Sequence, residues 1–277
     1  MAFGGRFTPG QDTQSQAPDL LGGSNDGGGA AEPYSPGEDT QSQTPDMPGG
    51  SDDGGAAGAV TPVPDDLDEQ LPGSGNYYEL GDQVTGETWL WTGPDRDVIV
   101  AGDGTQRIWS GEGPDDVSGG NGHDMLFGEG GNDRLYGEDG FDFIMGGLGS
   151  DRLSGGAQDD RFYYSDPAHE SPATSTGADT IVDFSLEDED IIDLPVRGTA
   201  ENYGSAGTNA TSMDEAAQEA NQTYGDDGLT YVYLANEETD TGYLLANLDE
   251  NDGFETGITL AGNGGPGEFS YEAIGSP

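Results

Sequence analysis

The chain contains no cysteine, and because all seven of its basic residues are arginine it contains no lysine either. The first absence excludes a disulfide framework, thiolate metal ligands and a cysteine nucleophile; the second excludes a P-loop. Histidine is confined to His123 and His169. The segment His169-Glu170-Ser171-Pro172-Ala173 lacks the second histidine of the H-E-x-x-H zinc-protease motif, and Pro172 opposes the helix that motif needs. No G-x-S-x-G nucleophile elbow occurs. The chain is therefore expected to be noncatalytic. Apolar residues make up only 31% of it, with no run approaching a membrane span. Met1–Gly10 has no charged start leading into an apolar stretch, so neither a cleaved signal peptide nor a membrane anchor is expected. Positive charge is scarce as well. Fifty-five acidic residues against seven basic ones leave a net charge of −48, which makes nucleic acid and anionic membranes poor partners. Such acidity fits solubility in high salt as well as it fits cation binding.

Glycine is what the chain has in excess, with 50 residues, and much of it is periodic. Eight nonapeptides begin at Thr92, Ala101, Ser110, Gly119, Gly128, Gly137, Gly146 and Gly155, with no insertion between them. The clearest copies are Gly119-Gly-Asn-Gly-His-Asp-Met-Leu-Phe127 and Gly146-Gly-Leu-Gly-Ser-Asp-Arg-Leu-Ser154. The eighth position forms an unbroken apolar column: Ile99, Ile108, Val117, Leu126, Leu135, Ile144, Leu153 and Phe162. The sixth reads Asp97, Gln106, Asp115, Asp124, Asp133, Asp142, Asp151 and Asp160. A disordered low-complexity tract would have no need of an apolar residue at every ninth place.

Glycines at the second and fourth positions let six residues form a tight turn with inward-facing carbonyls, and the last three make a short strand whose eighth side chain faces a core. If two nonapeptides make one coil, turns on the same side stack at about 4.7–4.9 Å. The aspartates then form two columns: Asp97, Asp115, Asp133 and Asp151 on one side, and Gln106, Asp124, Asp142 and Asp160 on the other. Without a cation, neighbouring carboxylates in a column repel by roughly 1 kcal/mol in water and more where water is excluded. Ca²⁺ reverses that term, because it accepts six to eight oxygens from flexible mixtures of carboxylate and carbonyl. Mg²⁺ demands a tighter octahedron and Zn²⁺ prefers nitrogen and sulfur. Several Ca²⁺ ions are therefore expected on the seven aspartates. The backbone carbonyls of Gly93, Gly102, Gly104, Gly111, Gly113, Gly120, Gly122, Gly131, Gly140, Gly147 and Gly149 complete the ligand set. The site pairing Gln106 with Asp124 is expected to be weak or empty. Extracellular modules work with calcium constants of about 10⁻⁴–10⁻³ M, so a secreted, extracellular protein is expected.

The repeat identifies the region as similar to haemolysin-type (RTX) calcium-binding repeats. With Gly177-Ala-Asp-Thr-Ile-Val-Asp-Phe184 and Asp190-Ile-Ile-Asp-Leu194, it resembles the repeat region and C-terminal domain of serralysin-type secreted proteins, without the protease domain. Thr230–Tyr233, Thr241–Leu245, Asp249–Gly253 and Thr256–Leu260 look like that family's closing strands and acidic turn. The resemblance covers about residues 92–270 and implies export by type I secretion machinery through an uncleaved C-terminal signal. The chain departs from the family pattern by one extra residue before Ile192-Asp193-Leu194, by Glu187 where glycine is frequent, and by an untypical tip at Glu268–Pro277.

The expected organisation is all-β. Residues 1–75 form a disordered Gly/Pro/Asp-rich tail, in which Thr8–Asp19 returns as Ser35–Asp46. Residues 76–91 form an N-terminal cap bearing Trp89 and Trp91, and 92–163 a parallel β-roll. Residues 164–277 form a β-rich C-terminal domain with one short helix over Ser212–Ala220, where Ser212 and Glu215 have capping-box spacing. On the second column's side, outward positions read Trp109, Phe127, Met145 and Tyr163, with Met125 and Phe143 two places before. This apolar row is expected to be covered by the strands after Ile181. The alternative cover is a carbohydrate or protein partner. For the function of the whole, the alternatives are a noncatalytic module of an exoenzyme or an adhesin with a polysaccharide or cell-surface partner, and a mineral-associated acidic protein.

Overall fold

A computed structural model describes residues 76–80, 87–225, 227–248, 253–265 and 267–276. The expected tail and residues 249–252 of the acidic turn lie outside the described residues.

Ten short strands follow one another: β1 (Tyr77–Glu79), β2 (Glu87–Trp91), β3 (Val98–Val100), β4 (Thr105–Trp109), β5 (Asp116–Asn121), β6 (Met125–Phe127), β7 (Arg134–Asp139), β8 (Phe143–Met145), β9 (Arg152–Ala157) and β10 (Arg161–Tyr163). The odd-numbered strands join one parallel sheet and the even-numbered strands another. One coil is therefore two nonapeptides, and like positions meet: Ile99 lies opposite Val117, Val117 opposite Leu135, and Leu135 opposite Leu153. The second sheet pairs Leu90, Ile108, Leu126, Ile144 and Phe162 in the same way. All of these side chains are buried between the sheets. Each contributes about 1.5–3 kcal/mol on burial, an upper range for so thin a core.

The coil continues beyond the last nonapeptide. Helix α1 (Pro167–Glu170) leads to β11 (Asp179–Ile181) and β12 (Ile191–Asp193). These two strands add one further turn to the first and second sheets, with Ile181 opposite Leu153 and Ile192 opposite Phe162. The chain then forms β13 (Tyr203–Gly207), helix α2 (Met213–Tyr224), β14 (Tyr231–Asn236), β15 (Thr241–Ala246), β16 (Thr256–Ala261) and β17 (Ile274–Gly275). β16 pairs in parallel with β11, β15 and β14 follow antiparallel, and β17 closes the second sheet against β12. Every residue of β14 is buried, because Tyr231 and Tyr233 face the roll's core while Val232 and Leu234 meet Met213, Ala216 and Ala220 of α2.

Two expectations are corrected. The helix runs to Tyr224, past Ala220, and its capping box is only half formed: the Ser212 hydroxyl accepts the Glu215 N–H at 3.4 Å, but Glu215 reaches back to Thr211 N at 2.8 Å. The strands after Ile181 also do not cover the apolar row. They extend the two sheets edge to edge, which satisfies their backbone groups and leaves the outer face of the second sheet to its own side chains. There Trp91 stacks on Trp109 (4.9 Å between ring centres, 8° between planes) and Trp109 on Phe127 (5.0 Å, 6°), with Phe143 and Tyr163 continuing the series.

Candidate metal centre

Each nonapeptide turn is held by one repeated bond. The Asp97 N–H donates to Asp115 Oδ1 at 2.7 Å, Asp115 N to Asp133 Oδ1 at 2.8 Å, and Asp133 N to Asp151 Oδ1 at 2.9 Å. On the other side Gln106 N, Asp124 N and Asp142 N donate to the Oδ1 atoms of Asp124, Asp142 and Asp160 at 2.8, 2.8 and 2.9 Å. The sequence places these aspartates in two columns, and the structure brings them together in that order.

The second carboxylate oxygen tells more. Oδ2 of Asp97, Asp115, Asp124, Asp133, Asp142, Asp151 and Asp160 is buried and has no hydrogen-bond partner. One unsatisfied buried polar group costs about 1–3 kcal/mol, and an ionised one more. Seven such oxygens, four in one column and three in the other, strongly favour a cation. The carbonyls of Gly104, Gly113, Gly122, Gly131, Gly140 and Gly149, at the fourth position, also accept no hydrogen bond among the described residues. At the second position Gly111 O accepts Gly130 N at 3.2 Å, so only its second lone pair is free.

Glycine is required where turns touch. At Gly140 (φ +157°) a Cβ would overlap the Gly122 carbonyl oxygen of the preceding coil. At Gly137, in the first position, it would overlap Oδ2 of Asp142, so the bare backbone makes room for the carboxylate. Among the described residues no three acidic or histidine side chains cluster as a metal site. The donor set is instead one carboxylate per turn plus backbone carbonyls, all oxygen, which suits Ca²⁺ and gives Zn²⁺ no nitrogen or sulfur.

Burial, and secondarily neighbouring carboxylates, push these acids up: Asp133 and Asp160 to about 8, Asp115, Asp124 and Asp151 to about 7, and Asp142 to about 6. The N–H donated to each Oδ1 opposes the rise. Gln106 occupies its column like an aspartate: it is fully buried, and its Oε1 also lacks a partner. Its amide nitrogen binds Asp103 O at 3.3 Å.

Two members of the columns were not among the expected ligands. Asp151 N donates to Asp179 Oδ1 at 2.8 Å, and Asp160 N to Asp190 Oδ1 at 3.0 Å. The signal was present: Asp179-Thr-Ile181 and Asp190-Ile-Ile192 keep the spacing of aspartate, any residue, apolar residue. Before Asp179 only the fourth-position glycine, Gly177, remains, and before Asp190 neither glycine does. At the N-terminal end Asn76 takes the place of a ligand, donating from its backbone N and Nδ2 to Asp97 Oδ1 at 3.1 and 3.0 Å.

Comparison with known proteins agrees with this geometry. Residues 84–116, 109–144 and 136–166 match the family model for the RTX calcium-binding nonapeptide repeat (4 copies). The roll is thus an RTX-type calcium-binding region. No curated protein matches the chain. Solved structures to which it is similar include the AlgE6R3 subunit of the Azotobacter vinelandii mannuronan C5-epimerase, with 25% identity over 58% of this chain and 77% of that one at a TM-score of 0.41. The AlgE6R2 subunit of the same enzyme matches with 24% identity over 59% and 94% at a TM-score of 0.36.

Proposed function

We propose that the chain is a noncatalytic, secreted protein whose β-roll folds on extracellular Ca²⁺ after passage through type I secretion machinery. The carrying observation is the double row of buried carboxylate oxygens without partners. In this reading Asp97, Asp115, Asp133 and Asp151 ligate ions on one side and Asp124, Asp142 and Asp160 on the other. The fourth-position glycine carbonyls are the main backbone ligands, and the carbonyls of Gly93, Gly102, Gly111, Gly120 and Gly147 the lesser ones. Residues 76–91 act as the cap, 92–163 as the roll, and 164–277 as the C-terminal domain. Export rests on the serralysin-type resemblance, and the extracellular site on where millimolar calcium is found. The noncatalytic reading is supported at His169, which is exposed and bound to Asp166 at 2.9 Å on a four-residue helix. Circular dichroism during calcium titration, with and without excess Mg²⁺, tests the proposal. Strand signal should appear with Ca²⁺ and not with Mg²⁺, and a signal already complete in chelator would defeat it.

A second reading, glycan binding, is favoured by Trp89 and Trp91, which are 42% and 48% exposed at the edge of the second sheet. Farther along the row, rings cover one another's faces, so within the row this edge offers the most open rings to a sugar. Titration of neutral and acidic polysaccharides against the calcium-loaded protein and its Trp91→Ala variant decides it. Equal behaviour of the two proteins removes the reading.

A further inference from the structure

The two carboxylate columns leave the repeats differently. On the second side, Asp190 accepts Asp160 N on Oδ1, and its Oδ2 is taken by Ser185 N at 2.8 Å. Both oxygens are spent, and that column is closed by backbone. On the first side, Asp179 accepts Asp151 N on Oδ1 as a repeat aspartate would, but its Oδ2 remains buried without a partner. Asp179 is completely shielded from solvent. Beside it stands Tyr164, 1% exposed, whose hydroxyl interacts with the Asp179 carboxylate but stays outside hydrogen-bond geometry. Asp151 Oδ2, one turn back, is a third buried oxygen without a partner, and the Gly149 carbonyl of that turn accepts no bond either.

We infer that the first calcium column runs one ion past the last nonapeptide, into a junction site formed by Asp151, Asp179, the Gly149 carbonyl and the Tyr164 hydroxyl. This rests on the calcium reading of the repeats and adds residues outside them. The turn before Asp179 keeps only one of the two glycines, Gly177, and so lies outside the nonapeptide pattern. β11, which begins at Asp179, is also the strand on which β16 pairs, with Asp179 opposite Ile258 and Ile181 opposite Leu260. Ser171 joins the same point, donating from its hydroxyl to Gly257 O at 2.7 Å and accepting Asp179 N at 2.8 Å. An ion here fastens β14–β16 to the roll and makes the order of those strands calcium-dependent.

The test uses the full chain and Ca²⁺ alone. Bound calcium is counted at saturation by equilibrium dialysis with atomic spectroscopy for the unaltered protein, Asp133→Asn, Asp179→Asn and Asp190→Asn. Hydrogen exchange follows the amides of β14–β16. Asp179→Asn should bind one ion fewer and lose at least tenfold in calcium-dependent protection of β16, while Asp190→Asn keeps the full count. A full count and full protection in Asp179→Asn would overturn the inference. If Asp133→Asn also kept the full count, the calcium reading itself would fall with it. If Asp179→Asn does not fold, Tyr164→Phe decides: a raised calcium midpoint for β16 protection supports the site, and an unchanged one overturns it.

Discussion

Replacing Asp133 by asparagine should change stability in opposite directions with and without calcium. Asp133 sits in mid-column, its Oδ1 bonded to Asp115 N at 2.8 Å and its own N–H bonded to Asp151 Oδ1 at 2.9 Å. Asparagine keeps the Oδ1 acceptor and removes the charge. At the strand spacing of about 4.8 Å, each neighbouring carboxylate repels Asp133 by about 0.9 kcal/mol in water and about 3.5 kcal/mol at an effective dielectric of 20. With two neighbours, but with burial holding the acid at about 8 so that it is largely protonated at pH 7 and much of the repulsion is relieved, the metal-free fold should gain about 1–2 kcal/mol. In calcium the same change removes a buried charged ligand. Breaking a buried ionic contact from one side costs about 3–5 kcal/mol, and every 1.4 kcal/mol is about a factor of ten, so the calcium midpoint should rise at least tenfold. Circular dichroism reads both signs: the residual strand signal in chelator, which should grow in the variant, and the midpoint of a calcium titration carried to the 10 mM scale (roughly tenfold above the weakest extracellular modules). Destabilisation in chelator, or an unmoved calcium midpoint, would refute the reasoning.

The raised carboxyls fix a pH dependence. Their folded values of about 6 to 8 lie above the unfolded value of about 3.9, so the metal-free fold binds more protons than the unfolded chain and should lose stability as pH rises from about 4 to 8. Calcium added at pH 7 should release protons, measurable by pH-stat; metal-free stability that increased with pH would contradict this. Gly140→Ala, which drives a Cβ into the Gly122 carbonyl oxygen, should abolish the calcium-induced strand signal or cost several kcal/mol, on the order of the largest core mutations. Gly93→Ala, with nothing within 4 Å of its Cβ, should be nearly silent in the same measurement. All three tryptophans lie within one contact group, Trp89, Trp91 and Trp109, so calcium-driven folding should produce a coupled near-ultraviolet dichroism signal that Trp109→Leu weakens by removing the stacked Trp91–Trp109 pair.

The roll was legible in the sequence because its interactions are periodic. A core side chain every nine residues and a carboxylate two places before it determine both the strand and its partner, since like positions meet one coil later. Legibility fails where periodicity stops. Asp179 and Asp190 follow their column predecessors by 28 and 30 residues instead of 18, so spacing alone could not assign them to the columns. The aromatic row shows the same limit. Its composition suggested a buried face, but composition does not say whether rings are covered by another layer or by each other. The left-handed backbone at Glu129 (φ 65°) and Glu138 (φ 80°) is a further case: the stack imposes the turn on residues that disfavour it by about 1–2 kcal/mol each.

The ends of the columns explain why the charge does not spread into the caps. A column is a one-dimensional array, in which each turn is coupled only to the turns before and after it. An ion between two turns orders both and so favours its neighbour, which makes loading cooperative along a column. Where such an array starts it needs a neutral residue, because a first carboxylate with an ion on one side only would otherwise leave its outer side desolvated; at the far end of the first column Asp179 N is held instead by the Ser171 hydroxyl. Asn76 supplies that end on the first side by donating its backbone and amide N–H groups to Asp97, and Gln106 supplies it on the second by replacing an aspartate outright. Gln106 is thus a terminus of the second column more than a defect within it. Gln106→Asp should therefore extend that column only if Thr88, its neighbour on β2, can serve as the next neutral end. If Thr88 cannot, the variant should weaken calcium binding at Asp124 by adding a charge that no ion compensates. Calcium titration of Gln106→Asp, alone and with Thr88→Asn, separates the two: an extra ion in the single variant shows that Thr88 serves, recovery only in the double variant shows that it does not, and binding weakened equally in both would refute neutral termination.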